Sequence, residues 1–305
     1  MKSVLFKANL AIFFAELFNA LNVNAQKYLL PEWSSPFAML LIRTGFGALL
    51  FWGLSLFIHE KKVQKQDLLL MFGGGAVALT AYITFYLLGV MKSSPVDSSL
   101  IMSTMPLVVL MLAIFFFHEH LTKLKGIGVF MGIAGTVTII LMQTSSSGSA
   151  DTLIGNIYCL LSAIAYGFYL IVNKLLTGKY AAATILKWMF SGAFILSIPL
   201  TFVFGWDLPV FHHPVAWKPV GVIIFVLLFP TGLTYFLIPY ALKHLQASTV
   251  AMYDYEVPIV ASFVGVMIGQ AHFAWYQPLA TLLIFSGVYL VSRENRRLKK
   301  KYHIA

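Results

Sequence analysis

The chain has 305 residues, 59% of them hydrophobic and 10% charged, with a net charge of +10. A soluble domain carries about 25% charged residues, so the composition excludes an ordinary soluble protein and points to a membrane. The basic residues lie between apolar runs and in the C-terminal tail, which argues against a nucleic-acid partner, and the single cysteine, Cys159, excludes an intrachain disulfide or a cysteine metal cluster.

Ten spans are expected, at 4–25, 36–58, 68–90, 96–117, 126–143, 152–173, 184–205, 219–241, 247–268 and 276–292. Each is near the ~20 residues a membrane helix needs. The connections are short, which leaves no room for a soluble domain. The first span follows Lys2 and Lys7 and ends near Val23-Asn24-Ala25, a small-residue pattern like a signal-peptide cleavage site. Glu16, Asn19 and Asn22 interrupt its apolar region, so a retained span is expected. Asn9, Glu16, Asn19, Asn22, Gln26 and Lys27 fall within an arc of roughly 140° on this helix. Arg43 lies inside the second span, where a lone charge is costly, so a carboxylate or a freed carbonyl is expected beside it. The third span carries Tyr82 and Tyr86 on one face. The fourth offers Asp97, Ser98, Ser99, Met102 and Met105 before Pro106.

His118 and His120, beside Glu119, lack the i, i+4 spacing of a helical zinc pair, as do the adjacent His212 and His213, so all four read as loop residues. Gly128 with Gly132, and Gly265 with Gly269, permit close helix contact, inside one chain or across a homodimer. The Ser- and Gly-rich stretch 144–151 reads as a linker between 1–143 and 152–292, with 293–305 a basic tail. The sixth span carries Tyr158, Ser162, Tyr166, Tyr169 and Asn173 within an arc of about 80°. Lys187 is expected to snorkel. The eighth span adds Thr231, Thr234 and Tyr235 between Pro230 and Pro239.

The ninth span holds Tyr253-Asp254-Tyr255-Glu256-Val257-Pro258. Charge at such depth normally faces a bundle interior or wet cavity, and Pro258 deprives the Asp254 carbonyl of its helical donor. On a continuous helix the two acids lie about 160° apart. Asp254 shares a small-residue face with Ala247, Ala251, Pro258, Ala261 and Gly265, suited to helix contact; Glu256 shares one with Thr249, Met252, Tyr253, Phe263 and Met267, suited to a solute wall.

The halves repeat. A shift of 147 residues sets Asn9 on Asn156, Asn19 on Tyr166, Asn22 on Tyr169, Gln26 on Asn173 and Lys27 on Lys174; a shift of 152 sets Pro106 on Pro258 and Gly135 on Gly287. Five spans per copy requires the second copy to be inverted in the membrane. With the N-terminus inside, sixteen basic residues face inward: Lys2, Lys7, Lys61, Lys62, Lys65, Lys123, Lys125, Lys174, Lys179, Lys243, Arg293, Arg296, Arg297, Lys299, Lys300 and Lys301. Three (Lys27, Lys92 and Lys218) face outward, so both termini are expected in the cytoplasm. The basic tail suits anionic membrane lipids. There is no Gly-rich phosphate loop and no Gly-x-Ser-x-Gly elbow. Tyr253-Asp254 matches one half of an intramembrane aspartyl protease pair, and the Gly-x-Gly-Asp half is absent.

The chain resembles the EamA family of the drug/metabolite transporter superfamily. The resemblance rests on Arg43, the run Pro106 through His118-Glu119 to Gly126 and Gly135, and the run Ala241-Leu242-Lys243, Pro258 and Gly287-Val288. Ala271 stands where the family pattern would place a second-copy acid, and Val257 separates Glu256 from Pro258. The resemblance implies an all-α protein of ten helices in two inverted five-helix repeats around a cavity, moving amino acids or other small metabolites, often outward. The expected function is an inner-membrane secondary transporter working by alternating access, with no cofactor, no metal and no catalytic set. An intramembrane enzyme acting on lipid or peptide, or a non-transporting scaffold, are the alternatives. Solute contact is expected from Asn19, Asn22, Tyr82, Met102, Tyr166, Tyr169, Tyr235, Tyr253 and Glu256. Charge pairing or proton coupling is expected from Glu16, Arg43 and Asp254.

Overall fold

The computed structural model describes residues 2–58, 62–117, 122–147, 150–211, 216–245, 250 and 253–302. These residues are overwhelmingly helical. The helices are α1 (Lys2–Leu29), α2 (Pro36–Ser55), α3 (Lys65–Gly74), α4 (Thr80–Lys92), α5 (Pro95–Met102), α6 (Met105–Phe117), α7 (Lys123–Ser147), α8 (Ala150–Leu176), α9 (Ala182–Phe204), α10 (Trp217–Val226), α11 (Thr234–His244), α12 (Glu256–Met267) and α13 (Gln277–Tyr302). Among the described residues, eight helical stretches are long and apolar enough to cross a membrane: Val4–Leu29, Pro36–Ser55, Lys65–Lys92, Pro95–Phe116, Lys123–Met142, Asp151–Leu176, Ala182–Phe204 and Trp217–Ile238. The shorter apolar α12 and the tail-bearing α13 follow them. Large apolar side chains such as Phe57, Phe115 and Phe202 remain exposed on the outside of the bundle, as a lipid-facing surface requires.

Two helix starts follow from the same local pattern. Ser35 and Ser94 each precede a proline and accept the N–H of the residue three further on, Ala38 and Asp97. Proline fits the first helical turn because its missing N–H would be unpaired there anyway. The stretch 144–151 is helical at both ends, with α7 running to Ser147 and α8 beginning at Ala150.

Four irregularities recur in pairs. The third and eighth spans each contain a π-helical segment, Gly75–Leu79 between α3 and α4 and Leu227–Leu233 between α10 and α11. The segments begin 152 residues apart. The fourth and ninth spans are each broken just ahead of their proline. Turns at Ser103–Thr104 and Asp254–Tyr255 precede Pro106 and Pro258. The turn at 254–255 corrects the expectation of one continuous ninth helix, and with it the 160° separation of the two acids. It also corrects the expected orphan: the Asp254 carbonyl accepts the Val257 N–H at 3.4 Å, closing a tighter turn where a regular helix would have needed Pro258 to donate.

Helix pairings are mirrored as well. α2 packs on α9, and α7 on α13. α4 packs on α8 as α11 packs on α1, and α5 and α6 pack on α8 as α12 packs on α1. The π segment at Gly75 crosses α9 so closely that a Cβ there would lie 1.9 Å from the Met189 carbonyl oxygen. Gly128 and Gly132 serve an internal contact: a Cβ on Gly287 of α13 would lie 2.4 Å from the Gly128 carbonyl oxygen and 2.9 Å from the Gly132 nitrogen. Gly265 likewise meets Asn24 and Pro95, and Gly269 ends its helix at a φ of 74°.

The connections at the two ends are tied. At one end Lys27 Nζ donates to the Met91 and Ser93 carbonyls at 2.9 and 2.7 Å, Lys92 pairs with Asp151, and Ser93 donates to Asn156. At the other, Tyr180 donates to Asp67 at 2.8 Å and Lys179 reaches the same carboxylate at 3.1 Å. The expected loop residues His118, Glu119, His120, His212 and His213, and Ala247, Thr249, Ala251 and Met252 of the ninth span, lie outside the described residues.

Candidate functional site

Burial in an apolar helix bundle makes every polar group find a partner or bear a cost of several kcal/mol. Tracing partners therefore locates the site. On α1, Asn19 donates to Glu16 at 3.1 Å, Asn22 donates to the Tyr86 hydroxyl at 2.9 Å, and Gln26 donates to Asn22 at 3.4 Å. The polar stripe of α1 thus runs along α4. Glu16 is 5% exposed and Asn22 7%.

Across from it stands a group of tyrosines. Tyr82 lies with its ring centre 6.4 Å from Tyr86 and 5.0 Å from Tyr166, and Tyr166 is 5.7 Å from Tyr169. The Tyr169 and Tyr235 hydroxyls meet, and Tyr235 packs edge-on against Phe51 and Phe190. Three helical spans, α4, α8 and α11, therefore supply one phenolic surface. Ser162 donates to the Tyr82 carbonyl, which fixes α8 against α4. Tyr158 stacks on Phe85 at 6.0 Å, and Asn173 donates to the Tyr169 carbonyl.

Charges of opposite sign flank this surface. Glu16 and Asp254 interact electrostatically with each other and with Tyr166, and Glu16 also interacts with Glu256. Glu256 opens α12, and its Oε1 is buried without a hydrogen-bond partner among the described residues. On the other flank, Arg43 interacts with Tyr82, Tyr86 and Tyr235. Its guanidinium carbon lies 6.0 Å from the Tyr86 ring centre and its Nε donates to the Thr231 hydroxyl at 3.2 Å. The expected carboxylate or freed carbonyl is not what Arg43 meets among the described residues. A hydroxyl from the π segment of the eighth span holds it, because that segment brings Thr231 against α2. Lys187 is buried, with Nζ 4.5 Å from the Trp52 ring centre.

Of the residues expected at the site, Asn19, Asn22, Tyr82, Tyr166, Tyr169, Tyr235, Glu16, Arg43, Asp254 and Glu256 are linked in this way. Met102 is half-buried at the end of α5 and packs against two core clusters. Tyr253 lies apart, donating to Asn9 at 3.1 Å within a separate cluster with Ile12, Ala15 and Ala241. Tyr86 and Thr231 prove central as partners of Asn22 and Arg43. The i, i+4 spacing of Tyr82 and Tyr86 was the available signal for the first. Two surface grooves lie elsewhere, one of about 430 Å³ lined by Tyr255, Phe285 and Tyr289 and one of about 690 Å³ lined by Trp206, Phe211 and Ile223.

Apolar helices around a buried set of phenols, acids and an arginine define a multi-pass membrane protein with a polar interior, the build of a transporter. The EamA-like transporter family matches residues 6–141 and again 153–293, so this chain belongs to that family and is a membrane transporter by class. It is 26% identical over 269 residues to an uncharacterized transporter of Archaeoglobus fulgidus, covering 86% of this chain and 90% of that one. It is 24% identical over 245 residues to the uncharacterized transporter YoaV of Bacillus subtilis, covering 78% and 80%. A solved crystal structure shares the fold at a TM-score of 0.62 and 18% identity, over 96% of this chain and 98% of that chain.

Proposed function

We propose that the chain is an inner-membrane secondary transporter that exports small metabolites such as amino acids by alternating access, with proton coupling through its buried acids. The observation that carries this reading is the phenolic surface of Tyr82, Tyr166, Tyr169 and Tyr235, enclosed at membrane depth between acids and an arginine. Tyrosines offer an apolar body with a polar tip, and the flanking charges offer both signs to an amphipathic solute. Glu16, Asp254 and Glu256 supply the groups for a coupled proton.

An architecture of ten helices in two inverted repeats, 1–143 and 152–292, fits this mechanism. Its support is the mirrored helix pairings, the paired π segments, the paired breaks before Pro106 and Pro258, and the two successive family matches. The basic tail and the sixteen-to-three charge bias support cytoplasmic termini. Alternating access then requires the ties at Lys27 and at Asp67 to open in turn.

Purified protein in liposomes, loaded with a labelled metabolite mixture, tests the reading. Outward or counterflow movement of a solute that responds to a pH gradient is expected. Failure of every loaded solute to move, under either gradient, overturns it.

A further inference from the structure

Arg43 is 7% exposed, sits inside an apolar helix and makes one side-chain hydrogen bond among the described residues, from Nε to Thr231. Its Nη1 is buried and has no acceptor among the described residues. A guanidinium presents five donors in a planar fork whose natural complement is a carboxylate. A second donor lies within one helical turn of Thr231: the hydroxyl of Thr234, which is also buried without a partner among the described residues. Of the acids of this interior, Glu16 interacts with Asp254, Glu256, Tyr82 and Tyr166, and Asp254 also with Tyr166; none of the three forms an ion pair with Arg43 among the described residues. Both signs of charge interact with Tyr82. The cation is therefore both held and unspent.

From this we infer that Arg43 is the ligand for the carboxylate of the transported solute, with Thr231 positioning the guanidinium and Thr234 adding a hydroxyl. The inference rests on the transport reading above for the purpose of the site. The solute class is a small organic acid whose apolar body lies on Tyr82, Tyr86 and Tyr235. A primary amide of the same shape keeps the body and loses the charge that the arginine recognises. The opposite charge set leaves room for an amine on the solute but is not needed for this recognition. Thr231 acts through Arg43. Its hydroxyl accepts from Nε, leaving the Nη edge for the solute.

Equilibrium binding to the purified full chain in detergent tests this with acetate, L-leucine and 3-phenylpropanoate, each beside its primary amide. At least one acid is expected to bind about tenfold or more tightly than its amide, as the loss of a charge-assisted hydrogen bond implies. Arg43→Gln is expected to erase that preference. Thr231→Val, of similar shape, is expected to shrink it severalfold. The assignment is overturned if every amide binds as tightly as its acid, if no acid binds, or if Arg43→Gln retains the preference. Should Arg43→Gln not fold, the acid-to-amide ratio of the parent and of Thr231→Val decides. Acid-selective binding without flux in liposomes would sink the transport reading and leave the role of Arg43 standing; flux of amides as fast as acids would do the reverse.

Discussion

α1 and α8 stand at the starts of the two successive family matches and carry different chemistries. Shifted by 147 residues, Asn19, Asn22 and Gln26 of the first fall on Tyr166, Tyr169 and Asn173 of the second. Both direct these residues toward α4 and the central tyrosines. On α1 the stripe is an acid and three amides, in which Asn19 donates to Glu16, Gln26 to Asn22, and Asn22 across to Tyr86. On α8 it is rings, held by contact with other rings and by backbone anchors from Ser162 and Asn173. Helix period fixes where a stripe points, and residue type fixes what it does. One copy keeps charge in the interior and the other lines it with rings.

Substitutions can break that division. Glu16→Gln is expected to have the largest effect, a fall of about tenfold or more in flux with loss of its dependence on a pH gradient, since a charged hydrogen-bonding group is removed. Liposome counterflow at several pH values measures it; unchanged flux and pH response would show that the charge of α1 is structural. Next, Gly155→Ala tests how rigidly α8 is seated. The new Cβ would lie 2.7 Å from the Lys92 carbonyl carbon and the Ser93 nitrogen, and overpacking costs about 1–3 kcal/mol. Its counterpart on α1 is already an alanine, Ala8. An unfolding temperature equal to the parent's would mean that the α4–α8 junction yields.

Asn22→Leu strips the partner from a buried tyrosine hydroxyl, for a loss of about 1–3 kcal/mol. The same thermal measurement checks it, and a neutral result would count against the amides of α1 as a stabilising element. The smallest effect is expected from Tyr166→Phe. Its ring contacts with Tyr82 and Tyr169 survive, so flux should stay within about threefold, the scale of a weak neutral hydrogen bond. A loss as large as that from Glu16→Gln would erase the distinction between the two stripes.

Much of this was legible in the residues. Apolar runs near 20 residues marked the eight long apolar helices found among the described residues, and Pro258 marked an irregularity in the ninth expected span. Most of the polar residues that stand out in the apolar helices are linked to one another in the structure. Their partners were not legible. A period of 100° per residue ranks the faces of one helix but does not say which neighbour covers each face. Arg43 was expected beside a carboxylate or a freed carbonyl and is held by Thr231, because the π segment of another span sets that contact. π geometry has no residue signature of its own: at Gly75 it accompanies a crossing with the Met189 backbone that only the assembled bundle reveals. The facing of Asp254 and Glu256 was argued on an unbroken helix, and the turn between them removes the premise.

The seating of Cys159 has a practical consequence. It is the single thiol of the chain, fully buried, and its sulfur would lie 2.6 Å from a Cβ placed on Gly89 of α4. A maleimide added to the folded protein should therefore find no nucleophile, so cysteines introduced at the Ser35 or Tyr180 ends would report without background. The native thiol is then a reporter in its own right. Labelling of Cys159 that accelerates when a solute is supplied would mark separation of α4 from α8, observed without altering a single residue.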